Sequence, residues 1–320
     1  MGVRTVPTES RLRVFAGSAN KELAGDICAC LGIRPGQLAL SRFTDGEIRV
    51  QIEENVRGMD VFVVQPTCTP VDEHLMELLL LLDALRRASA KRITAVLPYY
   101  GYSRQDRKDR PRVPISAKVV ANLLVAAGAD RLLTLDLHAA QIQGFFDVPV
   151  DHLYGRPVIV EYLQQLHLPR LAVVSPDAGG VERARALAKR LTAPLAIIDK
   201  RRDKPGVSEV MHVIGDVRDR TCVIVDDLVD TAGTLVNGVN ALLDQGAAQV
   251  YAVTTHAVLS GPAVDRIKES KLQELAVTNS IPLSEEAKAS GRIRQLSVAP
   301  LLAAGINSIH SESSISMLFG

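Results

Sequence analysis

Residues Cys222–Thr234 read CVIVDDLVDTAGT, and this segment decides the fold. Thr221–Val225 is apolar and rich in β-branched side chains, as a buried parallel strand should be. Two carboxylates, Asp226 and Asp227, fall at its carboxyl end, where open α/β sheets place their ligands. The loop Asp230-Thr231-Ala232-Gly233-Thr234 follows, and a helix begins at once, with Leu235, Val236, Val239, Leu242 and Leu243 on one face. Small residues and Gly233 let backbone N–H groups approach an anion closely, and Thr231 and Thr234 add hydroxyl donors. The helix N-terminus supplies orphan N–H groups and the positive end of its dipole. Asp226 and Asp227 would repel an adjacent phosphate, so they suit sugar hydroxyls or a hydrated cation. A phosphorylated sugar satisfies both ends of the segment. The plainer reading is a strand followed by a helix capped by Asp230 or Thr231.

The same alternation extends in both directions. Strands are predicted at Arg13–Ala16, Asp60–Gln65, Arg92–Pro98, Arg131–Asp136, Leu171–Ser175, Leu195–Asp199, Thr221–Asp226 and Val250–Thr255. Helical patterns lie between them, at Glu73–Ala88, Ala117–Ala127, Gly180–Leu191 and Leu235–Gln245. Such βαβ alternation specifies an α/β fold with mainly parallel sheets covered by helices. The pattern runs twice, breaking near Asp151–Pro157, and a chain of 320 residues suits two domains.

Composition excludes several classes. The chain is 47% hydrophobic and 23% charged, enough for sizeable cores. A net charge of +1 leaves no electrostatic footprint for nucleic acid, and tryptophan is absent. The longest purely apolar run, Leu78–Leu82, is too short to span a bilayer, and the first residues lack a signal-peptide core. A cytoplasmic protein is expected. The four cysteines, at 28, 30, 68 and 222, have no second Cys/His pair to complete a zinc site and read as reduced thiols.

Beside CVIVDDLVDTAGT stand FTDGE (43–47), PYYGYSRQDRK (98–108), DLHAAQIQGFF (136–146), SPDAGGVERAR (175–185) and IDKRR (198–202). The first segment resembles the phosphoribosyl-binding motif of type I phosphoribosyltransferases. The others, spaced in order along almost the whole chain, narrow the resemblance to the ribose-phosphate pyrophosphokinases. That resemblance implies two similar phosphoribosyltransferase-like domains, over 1–150 and 151–308, with a 309–320 tail packing back on the first. It implies transfer of the pyrophosphoryl group of ATP to the C1 hydroxyl of ribose 5-phosphate, giving AMP, with Mg2+. It also implies a homo-hexamer with phosphate and ADP as effectors. The alternatives are a non-catalytic regulatory homologue and a type I phosphoribosyltransferase. Ala178 stands where family members often carry His, so no role is given to its side chain.

No G-x-x-x-x-G-K-[ST] motif occurs, so ATP must be held without a P-loop. By resemblance Phe43, Asp45 and Glu47 contact the adenine, contributed from a neighbouring subunit; by pattern alone Asp45-Gly46 is a hairpin turn, and the two readings are compatible. Arg104, Gln105 and Asp106 resemble the ATP-phosphate contact, against the plainer reading of RQDRKDRPR as a solvated loop. His138 and Asp177 end strands, and the family places magnesium there; the His is the weaker ligand, since magnesium prefers oxygen. Lys200 and Arg202 are the implied catalytic cations, Arg202 also touching ribose 5-phosphate. The Pro-Gly turn after them reads as a flap that closes over the site. The ribose 5-phosphate set is Arg202, Asp226, Asp227 and Asp230, Thr231, Ala232, Gly233 and Thr234. Ser314 and Ser316 resemble an effector-anion site, against a frayed polar tail.

Overall fold

The computed structural model describes residues 11–201 and 210–319. The chain divides into two compact units, Met1–Leu153 with Ala299–Gly320, and Tyr154–Val298. Each unit is a mainly parallel sheet flanked by helices, so the α/β class expected from the sequence holds.

The first unit contains β1 (Leu12–Ala16), α1 (Lys21–Leu31), β2 (Leu38–Arg42), β3 (Ile48–Ile52), β4 (Asp60–Val64), α2 (Val71–Arg87), β5 (Arg92–Leu97), α3 (Ser116–Ala127), β6 (Arg131–Leu135) and β7 (Val150–Leu153). Its five-stranded sheet runs β1-β4-β5-β6-β7, all parallel, while β2 and β3 pair as a separate antiparallel hairpin. Alternate strand residues such as Phe15, Val61, Val63, Ala95 and Leu97 form one core with the apolar faces of α2 and α3.

The second unit contains α4 (Arg156–Gln165), β8 (Leu171–Ser175), α5 (Val181–Leu191), β9 (Leu195–Arg201), β10 (Val210–Ile214), β11 (Thr221–Val229), α6 (Gly233–Asp244), β12 (Gln249–Ala257), α7 (Ala263–Glu269), β13 (Leu275–Thr278), α8 (Glu285–Ala289) and β14 (Ile293–Leu296). Its sheet order is β10-β9-β8-β11-β12-β13-β14, parallel except for β9 with β10. Val173, Val223, Val225, Val253 and Ala276 meet α4 and α5 on one face. Ala172, Val174, Ile224, Ala252 and Val277 meet α6 and α7 on the other. That double covering is why Thr221–Val225 reads as a continuous apolar run.

The last helix, α9 (Ala299–His310), belongs to the first unit and packs with α1. A Cβ on its Gly305 would lie 3.2 Å from Leu153 and 3.3 Å from Leu133, so α9 covers the sheet face opposite α2 and α3. Its end is tied down by charge. Arg92 Nε donates to Asp60 Oδ1 at 2.8 Å and its Nη2 to the Ile309 carbonyl at 2.9 Å; His310 Nδ1 lies 2.8 Å from Asp60 Oδ2.

Candidate active site

Strand order explains why the carboxylates sit where they do. The chain leaves β8 through α5 toward β9 on one side, and leaves β11 through α6 toward β12 on the other. The order therefore reverses between β8 and β11, and such a reversal opens a crevice at the carboxyl ends of the strands. Pairing of β11 with β8 runs only from Thr221 to Ile224, whereas pairing with β12 continues to Val229. Asp226 and Asp227 occupy the stretch of β11 that has lost its β8 neighbour. The strand extends three residues past its expected end because β12 supports it there.

Arg183, in the first turn of α5, faces this pair. Its Nη1 lies 3.3 Å from Asp227 Oδ1 and 3.6 Å from Asp226 Oδ1. Burial and the neighbouring charge of Asp227 raise the Asp226 pKa above the ordinary carboxylate range, and Arg183 opposes the rise. A carboxylate pair so placed favours hydroxyl donors or a cation. Asp177 lies in the loop that follows β8. Its Oδ1 accepts from the Gly180 N–H at 3.0 Å, and its carbonyl accepts from the Ser175 hydroxyl at 2.7 Å, which fixes the turn into α5.

The segment Asp230–Thr234 leads from β11 into α6. The residue before the helix is Ala232, in the left-handed region at φ 60°, and α6 has no side-chain cap. The N-cap position falls on Ala232 and not on Asp230 or Thr231, so the plain capping reading fails. A non-glycine residue in that conformation costs about 1–2 kcal/mol. Val236 donates its helical bond to Ala232, so the N–H groups of Gly233, Thr234 and Leu235 precede the first helical donor. The loop is held by the segment that follows β12. Ser260 N donates to the Asp230 carbonyl at 3.0 Å, the Ser260 hydroxyl bonds Asp230 Oδ1, and Arg266 Nη1 donates to the Thr231 carbonyl at 2.9 Å.

In the first unit, residues 43–47 form the tip of the β2–β3 hairpin, all exposed. Phe43 N donates to the Glu47 carbonyl, and Gly46 adopts φ 94°, the turn role expected of it. Phe43 is 52% exposed with the Arg49 guanidinium 5.7 Å from its ring centre, so one aromatic face remains presentable. Asp45 Oδ1 accepts from Glu47 N at 3.1 Å. Arg104, Gln105 and Asp106 lie in the long connection between β5 and α3. Gln105 accepts from Ala117 N at 3.2 Å through its carbonyl and from the Ser116 hydroxyl through its side chain. Asp106 accepts from Gln141 at 2.8 Å, and Arg104 is exposed. His138 is exposed, three residues beyond β6.

These groups are distributed over both units. Phe43, Asp45, Glu47, Arg104, Gln105, Asp106 and His138 belong to the first, and Asp177, Asp226, Asp227 and Asp230–Thr234 to the second. Lys200 stands on the backbone of β9 opposite Met211. Arg202 and the flap reading at 202–209 lie outside the described residues. Ser314 and Ser316 are exposed, their hydroxyls 2.6 Å apart. Among the described residues no group of three or more His, Cys, Asp and Glu side chains could hold a metal by itself, and no helix is long and apolar enough to cross a membrane.

Residues 12–128 match the family described as the N-terminal domain of ribose phosphate pyrophosphokinase, and residues 200–320 match the phosphoribosyl synthetase-associated domain. The ribose-phosphate pyrophosphokinase of Bacillus caldolyticus is 56% identical over 311 residues, covering 97% of this chain and 98% of the relative. That of Bacillus subtilis is 54% identical with the same coverage. This chain belongs to the ribose-phosphate pyrophosphokinases. The phosphoribosylpyrophosphate synthetase structure from Mycobacterium smegmatis superposes with a TM-score of 0.90 at 44% identity, covering 94% of this chain and 99% of that one.

For a ribose-phosphate pyrophosphokinase, the sequence reading left three site neighbours without a role. Arg183 sits inside the quoted SPDAGGVERAR segment, yet its carboxylate partner Asp227 is 44 positions away in the chain. Ser260 and Arg266 follow β12 and touch Asp230 and Thr231 across 30 and 35 positions. None has a local signature that spacing alone would reveal.

Proposed function

We propose that this enzyme transfers the pyrophosphoryl group of ATP to the C1 hydroxyl of ribose 5-phosphate. The C1 oxygen attacks the β-phosphorus of ATP, the bond from that phosphorus to the α–β bridging oxygen breaks, and AMP leaves as the hydroxyl proton is lost. The observation that carries the reading is the uncapped start of α6 behind a left-handed Ala232, directly after a carboxylate pair at a strand-order reversal. Strain kept at a helix start that no side chain caps is expected where a ligand uses that start. The 5-phosphate takes the N–H groups of Asp230–Thr234, and Asp226 and Asp227 take ribose hydroxyls.

ATP is assigned to the first unit's Phe43, Asp45 and Glu47 for the base and Arg104, Gln105 and Asp106 for the phosphates. The exposed ring of Phe43 supports stacking, and the carboxylates suit the N6 amino group. Lys200 and Arg202 are assigned to the charge that develops on the transferring group, where catalysis rests on positioning and electrostatics. Magnesium, when bound, supplies neutralisation of the nucleotide phosphates. Asp177 would offer it a hard oxygen ligand, and His138 would act through a metal-bound water. A lone carboxylate suits a cation that arrives with phosphate oxygens rather than one caged by protein.

The same reading extends to phosphate and ADP as effectors near Ser314 and Ser316, to a homo-hexamer, and to the cytoplasm. Buried free thiols at Cys28, Cys68 and Cys222 suit a reducing compartment. Incubation of the pure protein with ATP, magnesium and ribose 5-phosphate should yield AMP. ADP as the product, or no turnover with or without phosphate, refutes the reading. Pyrophosphate release that requires a nucleobase indicates a phosphoribosyltransferase instead.

A further inference from the structure

We propose that Arg266 is part of the anion recognition of the ribose 5-phosphate cradle, with Ser260 as the positioning residue that sets the loop for it. The inference rests on the reading of Asp230–Thr234 as a phosphate site, and it adds a side-chain cation to a loop that otherwise offers backbone and hydroxyl donors.

Arg266 lies on α7, beyond β12, with its backbone N–H bonded to the Pro262 carbonyl at 3.0 Å. Its Nη1 donates to the Thr231 carbonyl at 2.9 Å, and the same nitrogen lies 3.4 Å from where a Cβ on Gly233 would sit. A side chain at 233 would therefore touch the guanidinium. Nearby acids are matched elsewhere: Lys268 lies 3.8 Å from Asp265 and 3.5 Å from Glu286. Among the described residues no carboxylate pairs with Arg266.

The chemistry follows from the donor count. A guanidinium carries five N–H donors in a planar fork, and Thr231 takes one. The remaining fork suits two phosphate oxygens, and its charge is unspent. Ser260 completes the frame. Its N–H holds the Asp230 carbonyl at 3.0 Å and its hydroxyl holds the Asp230 carboxylate, while Val258 N and Leu259 N both donate to Val229. The segment after β12 thus fixes the segment after β11 before substrate arrives, which lowers the ordering cost of binding.

Steady-state kinetics on the full chain test the idea, with the two substrates varied separately. Losing a charge-assisted hydrogen bond should raise the KM for ribose 5-phosphate by about tenfold or more in Arg266→Gln. The KM for ATP and the melting temperature should stay at wild-type values. Arg266→Lys, which keeps charge without the fork, should recover part of the loss. Lys268→Gln on the same helix should change neither KM. An unchanged KM for ribose 5-phosphate in Arg266→Gln overturns the proposal, and so does a parallel loss for both substrates with a lowered melting temperature. Calorimetry of wild type with ribose 5-phosphate separates this from the underlying reading, because absence of binding to wild type sinks the cradle itself.

Discussion

Thr67→Val isolates one hydrogen bond on which the proposed ATP-phosphate loop depends. Thr67 is 1% exposed, in the connection from β4 to α2. Its Oγ1 accepts from the Gly101 N–H at 2.7 Å and lies 3.3 Å from the Tyr99 carbonyl, which also accepts from Thr67 N at 3.0 Å. Valine keeps the shape and removes the acceptor, leaving a buried N–H without a partner at a cost of about 1–3 kcal/mol. Gly101 has little room to adjust, since a Cβ there would sit 2.4 Å from the Thr67 carbonyl. The cost has two outlets. If the loop stays in place, stability falls, and at about 2–4 °C per kcal/mol the melting temperature drops by several degrees. If Tyr99–Asp106 shifts so that the N–H reaches water, Arg104, Gln105 and Asp106 leave their positions. The KM for ATP then rises up to about tenfold for each 1.4 kcal/mol spent. Differential scanning fluorimetry, with kinetics in which ATP is varied at saturating ribose 5-phosphate, reads both outlets. Thr67→Ser should restore both. A valine variant with wild-type melting temperature and wild-type KM for ATP refutes the reasoning. A change confined to ribose 5-phosphate refutes the assignment of this loop to the nucleotide.

Asp226→Asn should stabilise the free protein and lower turnover. Because the folded-state pKa is raised, ionising Asp226 costs stability; the cost is absent below the ordinary value near 3.8 and complete above the folded value. The advantage of Asn in melting temperature should therefore grow as pH rises through that window, and a uniform difference across pH would contradict it. Asp60→Ala should cost on the order of 3 kcal/mol in denaturant titrations, because it strands Arg92 and frees the end of α9 at His310. Lys200→Ala should lower kcat by about a hundredfold, equivalent to about 3 kcal/mol, with a far smaller change in KM. Wild-type turnover in that variant removes Lys200 from the mechanism.

The core strands were legible because parallel strands covered on both faces write continuous apolar runs, as Thr221–Val225 and Val61–Val64 do. The β2–β3 hairpin was legible through one turn signal, Asp45-Gly46. Elements without a period to read were missed. Strands β13 and β14 have four residues each, too few for a pattern. Helix α9 has the composition of a helix, but its place in the first unit rests on long-range contacts, the packing on α1, Leu133 and Leu153 and the Arg92–Asp60–His310 group, in which His310 is 250 positions from Asp60. The candidate site divides in the same way. The cradle announces itself because its residues are consecutive. The side chains that orient it, Arg183, Ser260 and Arg266, come from other connections of the same sheet, so only the fold brings them to it.

That division also bears on why the two units should take different ligands. In the second sheet the order reverses between β8 and β11, so the crevice is made by the topology itself and needs only small residues and carboxylates to complete it. In the first sheet the strands follow one another in chain order, β1-β4-β5-β6-β7, and no reversal opens a crevice among them. Any ligand there must be held by what stands outside the sheet. The two features available are the exposed hairpin tip at 43–47 and the long connection that carries Arg104–Asp106, braced by Thr67, Ala117 and Gln141. A small phosphorylated sugar fits a cleft that the strand order fixes. An extended nucleotide, with a base to stack and a polyphosphate to bridge, fits separate projections. On the proposed assignment, two sheets of one class divide one reaction's substrates between them, with strand order deciding which takes the sugar.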